Sequence, residues 1–324
     1  MIPAQLFPSL EILRLEFQMA VPSGFSSSFY LGSTWRGILG WELKKLLCPF
    51  PSSTKCPGCD IRRSCPYYVL FEKKTSLQGI TDAPRGYILY APDLSRNKQL
   101  SLEVTLVGYC TRFIAPVLHA MAKSQNRGLG KERITFQIES VVEDTPEGNN
   151  LLNLEKDILS QINGPFSLEK WLSGPTDVQN SYSLSLKTPL RLRKRGKYLD
   201  DLDLPFMFMS IARRLEALNC VFSGGQMLGK KTWLELESMF RFLDKPFSEN
   251  EESSDSFHSF EKNISWDDFS RFSNRQKRKV PMGGLVGECS FNTNLAGIGQ
   301  WLRCAELVHV GKGTAMGLGR VEMK

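Results

Sequence analysis

Histidine is scarce in this sequence. Only His119, His258 and His309 occur among 324 residues. Chemistry that leans on an imidazole base has few places to stand. No apolar run approaches the ~20 residues that a membrane span needs, which excludes an integral helical membrane protein. Met1 to Leu10 has neither a basic n-region nor a long apolar h-region, so no signal peptide is expected. No glycine loop ends in Gly-Lys-Ser or Gly-Lys-Thr, which excludes a P-loop. The one glycine-dense stretch follows a helical pattern and ends the chain, where a Rossmann turn would open a helix. Of the eight cysteines, four cluster and the rest are scattered. That usage suits a reduced cytoplasm better than a disulfide framework.

What is present is enough for two folded domains. Hydrophobic residues make up 41% of the chain and charged residues 23%, with a net charge of +7. Leu13, Leu15, Phe17 and Met19 alternate with polar residues and predict a strand. Ser33 is a candidate cap for a helix with the apolar stripe Trp35, Ile38, Leu39, Leu43, Leu46 and Leu47. Gly37 and Gly40 weaken that helix by roughly 1 kcal/mol each relative to alanine, which points to close packing on that face. Strands at Gly86–Tyr90 and Leu100–Leu106, a helix from Phe113 and a strand over Ile134–Val142 follow.

Past a turn at Asp144–Asn150 and a mixed stretch at 151–180, the pattern starts again. Tyr182, Leu184 and Leu186 alternate. Asp203 is placed to cap a helix running to Asn219, with Pro205 near its start. Thr232–Met239 is expected as a strand, although its pattern suits a helix equally well. Ser248–Ser259 is a polar loop. Leu285, Cys289 and Phe291 share a strand face, and Leu295 to Ala305 is helical. Both halves therefore read β-α-β-β-α-β, the split βαβ arrangement. The expected class is α+β, with two tandem ferredoxin-like domains at 1–150 and 181–324 and a cysteine-rich insert in the first.

The final stretch, Leu307 to Lys324, holds Gly311, Gly313, Gly317 and Gly319 between β-like runs, with Lys312 and Arg320 adding charge. Exposed N–H groups in such a loop suit an anion such as phosphate. Gly317-Leu318-Gly319 echoes Gly128-Leu129-Gly130 at the matching place in the first half. Basic residues gather in two runs of the second half. One holds Arg191, Arg193, Lys194, Arg195 and Lys197; the other holds Arg271, Arg275, Lys277, Arg278 and Lys279. Together with the glycine loop they predict a polyanion partner, held through bidentate arginine contacts. No aromatic RNP signature accompanies them, so base stacking on a sheet face is not expected.

Cys48, Cys56, Cys59 and Cys65 include a C-x₂-C knuckle. Four thiolates suit one structural, tetrahedral zinc; an iron–sulfur cluster is the rival. Cys110, Cys220, Cys289 and Cys304 fall in or beside regular elements and are expected to be core.

Ser273-Asn274-Arg275-Gln276-Lys277-Arg278, Pro281 to Gly287, His309-Val310-Gly311-Lys312-Gly313 and Gly317-Leu318-Gly319 together resemble the Cas-six endoribonucleases of the RAMP superfamily. So do Trp35 to Gly40, Gly128 to Gly130 and Thr188 to Leu192. The resemblance implies a CRISPR repeat RNA, or precursor crRNA, as substrate. It implies cleavage without metal by the RNA's own 2′-hydroxyl, leaving a 2′,3′-cyclic phosphate and a 5′-hydroxyl. It places RNA against Gly311, Lys312, Gly313, Gly317 and Gly319, with the basic runs and the Ser273, Arg275 and Gln276 segment along the backbone. Proteins of a CRISPR effector complex become possible partners.

Many members carry a histidine in or just after the first helix, and Trp35 to Leu47 contains none. The catalytic candidates here are Arg36, Lys44 and Lys45, then His309, with Arg62, Arg63 and Tyr30 also nearby. Two other classes compete: a RAMP subunit that holds guide RNA without cutting it, and a duplex-DNA binder with a zinc ribbon.

Overall fold

In this computed structural model the described residues are 1–23, 30–50, 55–73, 84–92, 99–130, 132–173, 180–244, 260–273 and 277–324. The loop expected at Ser248–Ser259 and the histidine within it, His258, lie outside them. The chain divides into two compact units. One holds Ser9–Trp171 with Ala217–Gly225; the other holds Met1–Pro8, Leu172–Glu216 and Gln226–Lys324.

In the first unit the opening strand β1 (Glu11–Ala20) follows the predicted alternation. Leu13, Leu15, Phe17 and Met19 are each at most 2% exposed. On the opposite face Arg14 pairs with Glu103 and with Asp144, the latter at 3.2 Å. Helix α1 (Gly32–Leu47) buries Trp35, Ile38, Leu39 and Leu43, whose spacing puts them on one helical face. It begins at Gly32 without a side-chain cap, so Ser33 does not play the expected role. Of its two glycines only Gly40 answers to close packing. A Cβ there would come within 2.8 Å of the Phe71 ring, whereas Gly37 has nothing within 4 Å.

Strands β2 (Tyr87–Tyr90) and β3 (Leu100–Val107), helix α2 (Ile114–Arg127) and strands β4 (Gln137–Thr145) and β5 (Gly148–Leu152) complete the unit. The sheet order is β2-β3-β1-β4-β5, antiparallel throughout. Its first four strands have the 2-3-1-4 order of a ferredoxin-like fold, and β5 adds a hairpin. Phe166–Ser167 pairs with the start of β1.

The second unit repeats the plan. Its elements are β6 (Ser181–Leu190), α3 (Leu204–Phe222), α4 (Lys230–Arg241), β7 (Phe260–Asp267), β8 (Gly284–Asn292), α5 (Ile298–Val308) and β9 (Val321–Met323). From Ala217 onward α3 belongs with the first unit. The sheet runs β7-β8-β6-β9, again antiparallel and again 2-3-1-4.

One expected element is corrected here. Thr232–Met239 is helix, because Leu236 and Phe240, one turn apart, are both fully buried. The Phe240 ring lies 5.2 Å from Phe208 and 5.3 Å from Trp301, which ties α4 into the core of this unit. The strand that takes its place in the topology is β7, further along the chain.

Asp203 caps α3 as its position predicts: the Phe206 N–H donates to Asp203 Oδ1 at 2.8 Å. Asp203→Ala is expected to cost about 1 kcal/mol. Urea unfolding measures this, and an unchanged midpoint would show that the cap contributes nothing.

Candidate nucleic-acid interface

Both basic runs fold as small hairpins in the second unit. In the first, Arg193–Lys194 pairs with Lys197–Tyr198 around Arg195 and Gly196. Arg195 and Gly196 take φ of 49° and 86°, the paired positive values of a two-residue hairpin turn. Arg193 Nε donates to Gly196 O at 2.9 Å, and Lys194 Nζ to Asp203 Oδ2 at 2.8 Å. Residues 193 to 198 are all exposed. In the second hairpin Ser270–Ser273 pairs with Arg278–Pro281, and Lys277, Arg278 and Lys279 are exposed. Arg275 and Gln276 of the predicted RNA segment lie outside the described residues; the backbone of Ser273 is placed in the strand.

Arg191 joins these pieces. Its Nη1 donates to Pro281 O at the end of the second hairpin, at 3.1 Å. Its guanidinium lies 4.4 Å from the centre of the Tyr198 ring in the first hairpin, within cation–π range. Its backbone bridges to Gly311, and the Lys312 N–H donates to Arg191 O at 3.1 Å. One residue therefore holds two basic hairpins against the glycine loop. Tyr198 does not stand out in the sequence; an aromatic inside a cationic run is the signal that could have found it.

The loop itself differs from an open anion nest. The N–H groups of Lys312, Met316, Gly317, Leu318 and Gly319 all bond to backbone carbonyls, and that of Arg320 bonds to Thr188 Oγ1. Thr188 Oγ1 also donates to Gly317 O at 2.8 Å. Gly317 and Gly319 are buried; Gly311, Lys312 and Gly313 are half-exposed. Residues 311–313 are thus the part of these five positions open to a ligand, while Gly317 and Gly319 fold the loop back on the chain. A Cβ at Gly319, where φ is 73°, would sit 1.8 Å from Val310 O. The echo in the first unit is conformational too. Gly128 and Gly130 take φ of 74° and 68°, and Leu129, like Leu318, is buried between them.

His309 is 1% exposed, and its Nδ1 lies 3.2 Å from Leu318 O. It ends α5 and begins the glycine loop as a packed residue. His119 lies on α2. In the first unit the other catalytic candidates lie on α1, each over an aromatic ring. The Arg36 guanidinium is 5.5 Å from the Phe71 centroid, Lys44 Nζ 5.8 Å from Tyr67 and Lys45 Nζ 5.1 Å from Trp41. Trp41 is 45% exposed, and the Arg127 guanidinium stands 3.8 Å from its centre. Tyr87, buried beneath this region, has its hydroxyl pushed up by burial, against the lowering influence of Arg36 and Arg85. Among the described residues no helix is long and apolar enough to cross a membrane.

Residues 184–321 match the family model of the CRISPR-associated endoribonuclease Cas6. Residues 10–167 match a model described as an N-terminal domain. No curated protein matches the chain. Among solved structures, Thermus thermophilus Cas6 (TTHB231) is 13% identical with a TM-score of 0.54, covering 98% of this chain and 99% of its own. A product complex of Cas6 (TTHB231) gives 15% and 0.56 over 98% and 99%. A product complex of Cas6 (TTHA0078) gives 13% and 0.52 over 97% and 99%. At such identities the likeness is one of fold, and it extends over nearly the whole of both chains. The second half, residues 184–321, is similar to the CRISPR-associated endoribonuclease Cas6 family, and nearly the whole chain shares its double fold with these solved Cas6 structures.

Proposed function

We propose that the chain binds CRISPR repeat RNA and cuts precursor crRNA by attack of a 2′-hydroxyl on the adjacent phosphodiester. The products are a 2′,3′-cyclic phosphate and a 5′-hydroxyl, and no metal takes part in the chemistry. The observation that carries the reading is Arg191, which gathers two cationic hairpins around the half-exposed residues 311–313. Such a surface suits the backbone of a single strand or hairpin, with arginine as the phosphate ligand.

Cleavage needs the 2′-oxygen held in line with the scissile bond and a cation near the charge that develops on the phosphorane. Arg36, Lys44 and Lys45 are the groups proposed for that charge. His309, packed beside Leu318, is proposed to hold the start of the glycine loop. Without an imidazole on α1 beside these cations the reaction is slow and close to single-turnover, since general acid–base help is typically worth about 10²–10⁴-fold. The product stays bound and passes to proteins of an effector complex in the cytoplasm.

Binding is tested by titrating repeat RNA against the protein at several salt concentrations, with duplex DNA as competitor. Arg193→Glu and Arg195→Glu should each weaken binding and lower the log–log salt slope by about 0.7 for every phosphate no longer neutralised. Unchanged affinity and slope in both variants would remove the hairpin from the interface. Preference for duplex DNA would favour a different class of partner, and tight RNA binding without cleavage a guide-holding subunit.

A further inference from the structure

The four clustered cysteines come together around one small cavity, although Cys48 stands several residues before the other three. Cys48 ends α1, its N–H bonded to Lys44 O at 2.9 Å. Cys56 and Cys59 bracket a single tight turn in which the Cys59 N–H donates to Cys56 O at 3.2 Å. Cys65 follows the next turn, Asp60–Arg63, and its carbonyl accepts the Val69 N–H at 3.0 Å. All four thiol-bearing residues line a cavity of about 20 Å³, closed by Phe50, Tyr67 and Arg62. That volume holds one water-sized body and suits a single ion.

Three of the other four cysteines show what an unliganded thiol looks like in this protein; the fourth, Cys220, expected as core, is only partly buried on α3. Cys110, Cys289 and Cys304 are at most 3% exposed, and burial pushes the first two thiols up to about 12. Such thiols are inert core groups. Cys48, Cys56, Cys59 and Cys65 are instead half-exposed, in a segment of single turns where Phe50 and Ile61 are also left 39% and 40% exposed. A stretch so short of buried apolar surface needs another source of order, and a metal is the usual one in small turn-rich modules. Among the described residues no three His, Cys, Asp or Glu side chains are already drawn together as metal ligands. The thiols stand around a shared cavity, and rotation about χ1, open to side chains in exposed turns, is what coordination requires.

We propose that Cys48, Cys56, Cys59 and Cys65 form a tetrathiolate site for one zinc ion, structural in role. Each thiol gives up its proton on binding, so zinc affinity rises with pH. The resulting dianionic centre lies against Arg62, which lines the same cavity and donates through Nη1 to Cys59 O at 3.3 Å. The site anchors the segment that carries Tyr67 and Phe71, the two rings beneath Lys44 and Arg36. Zinc would therefore hold the aromatic floor on which two of the proposed catalytic cations rest, without touching RNA. Four thiolates leave no open position for a water or substrate.

The full chain, purified without chelator, should contain about one zinc per molecule by elemental analysis. Cys56→Ser with Cys59→Ser should lose it, and Cys220→Ser should keep it. Since the double variant could fail to fold, the wild-type protein should also be exchanged into Co²⁺. The expected spectrum shows thiolate charge-transfer absorption and the ligand-field bands of tetrahedral cobalt. A colourless wild-type protein without metal, or cobalt bound without thiolate bands, overturns the site. A brown protein holding iron and sulfide overturns zinc in favour of a cluster. Metal content and RNA cleavage are separate readouts, so either reading can fail alone.

Discussion

A repeat RNA with hydrogen in place of the 2′-hydroxyl on the nucleotide just 5′ of the cut is expected to bind and not to be cut at all. The hydroxyl is the nucleophile of the proposed reaction, and no protein group replaces it. Affinity rests mainly on phosphates, so one missing hydroxyl leaves the complex intact. The same assay on all-ribose RNA should proceed after brief EDTA treatment, because the proposed reaction assigns the charge on the phosphorane to Arg36, Lys44 or Lys45 and no step to a metal. Single-turnover gels with both substrates decide the matter. Cutting of the deoxy substrate, or an absolute need for Mg²⁺, would mean that water or a metal-bound hydroxide is the nucleophile.

The largest effect on folding is expected at Gly319. Gly319→Val places a Cβ 1.8 Å from Val310 O at a φ of 73°, a position where neither the backbone nor the side chain can yield alone. The left-handed conformation costs a β-carbon about 1–2 kcal/mol, and forced overpacking adds about 1–3 kcal/mol. A loss of roughly 2–5 kcal/mol is a large share of the ~5–15 kcal/mol of an ordinary domain. RNA binding should fall with it, since the Gly319 N–H is bonded to Pro189 O and Gly311 is bridged to Arg191. Gly130→Ala is the control. Its φ is 68°, but nothing lies within 4 Å of the new Cβ, so only the conformational cost of about 1 kcal/mol applies. Equal urea midpoints for Gly319→Val and the wild type would contradict the close approach of the loop to Val310.

Strands and helices are legible in the sequence where one face is buried. β1 shows its alternation because Leu13, Leu15, Phe17 and Met19 all enter one core. β7 escapes a sequence reading for the opposite reason. Of its eight residues, Phe260 to Asp267, only Ile264 is partly buried, so no period of two reaches the sequence. Thr232–Met239 misleads because Trp233 and Leu234 are apolar beside the buried pair Leu236 and Phe240; Leu234 is 55% exposed. Within the interface, charge and glycine content are visible, but their joint is not. Arg191 acts through main-chain bonds and a hydrogen bond to a carbonyl 90 residues away, and residue type does not announce such a role. Glycine content alone suggests exposed N–H groups, whereas Gly317 and Gly319 serve tight backbone contact. His309 keeps its place beside the loop but sits within the packing.

The most direct test is end-group analysis of what the protein makes from repeat RNA. Purified full chain is mixed with hairpin and unstructured repeat RNAs, after brief EDTA treatment, and the products are mapped. The proposed function predicts a cut at one position, an upstream fragment ending in a 2′,3′-cyclic phosphate, and a downstream fragment that a kinase can label directly on its 5′-hydroxyl. A 5′-phosphate with a free 3′-hydroxyl, or intact RNA held tightly by the protein, would contradict it.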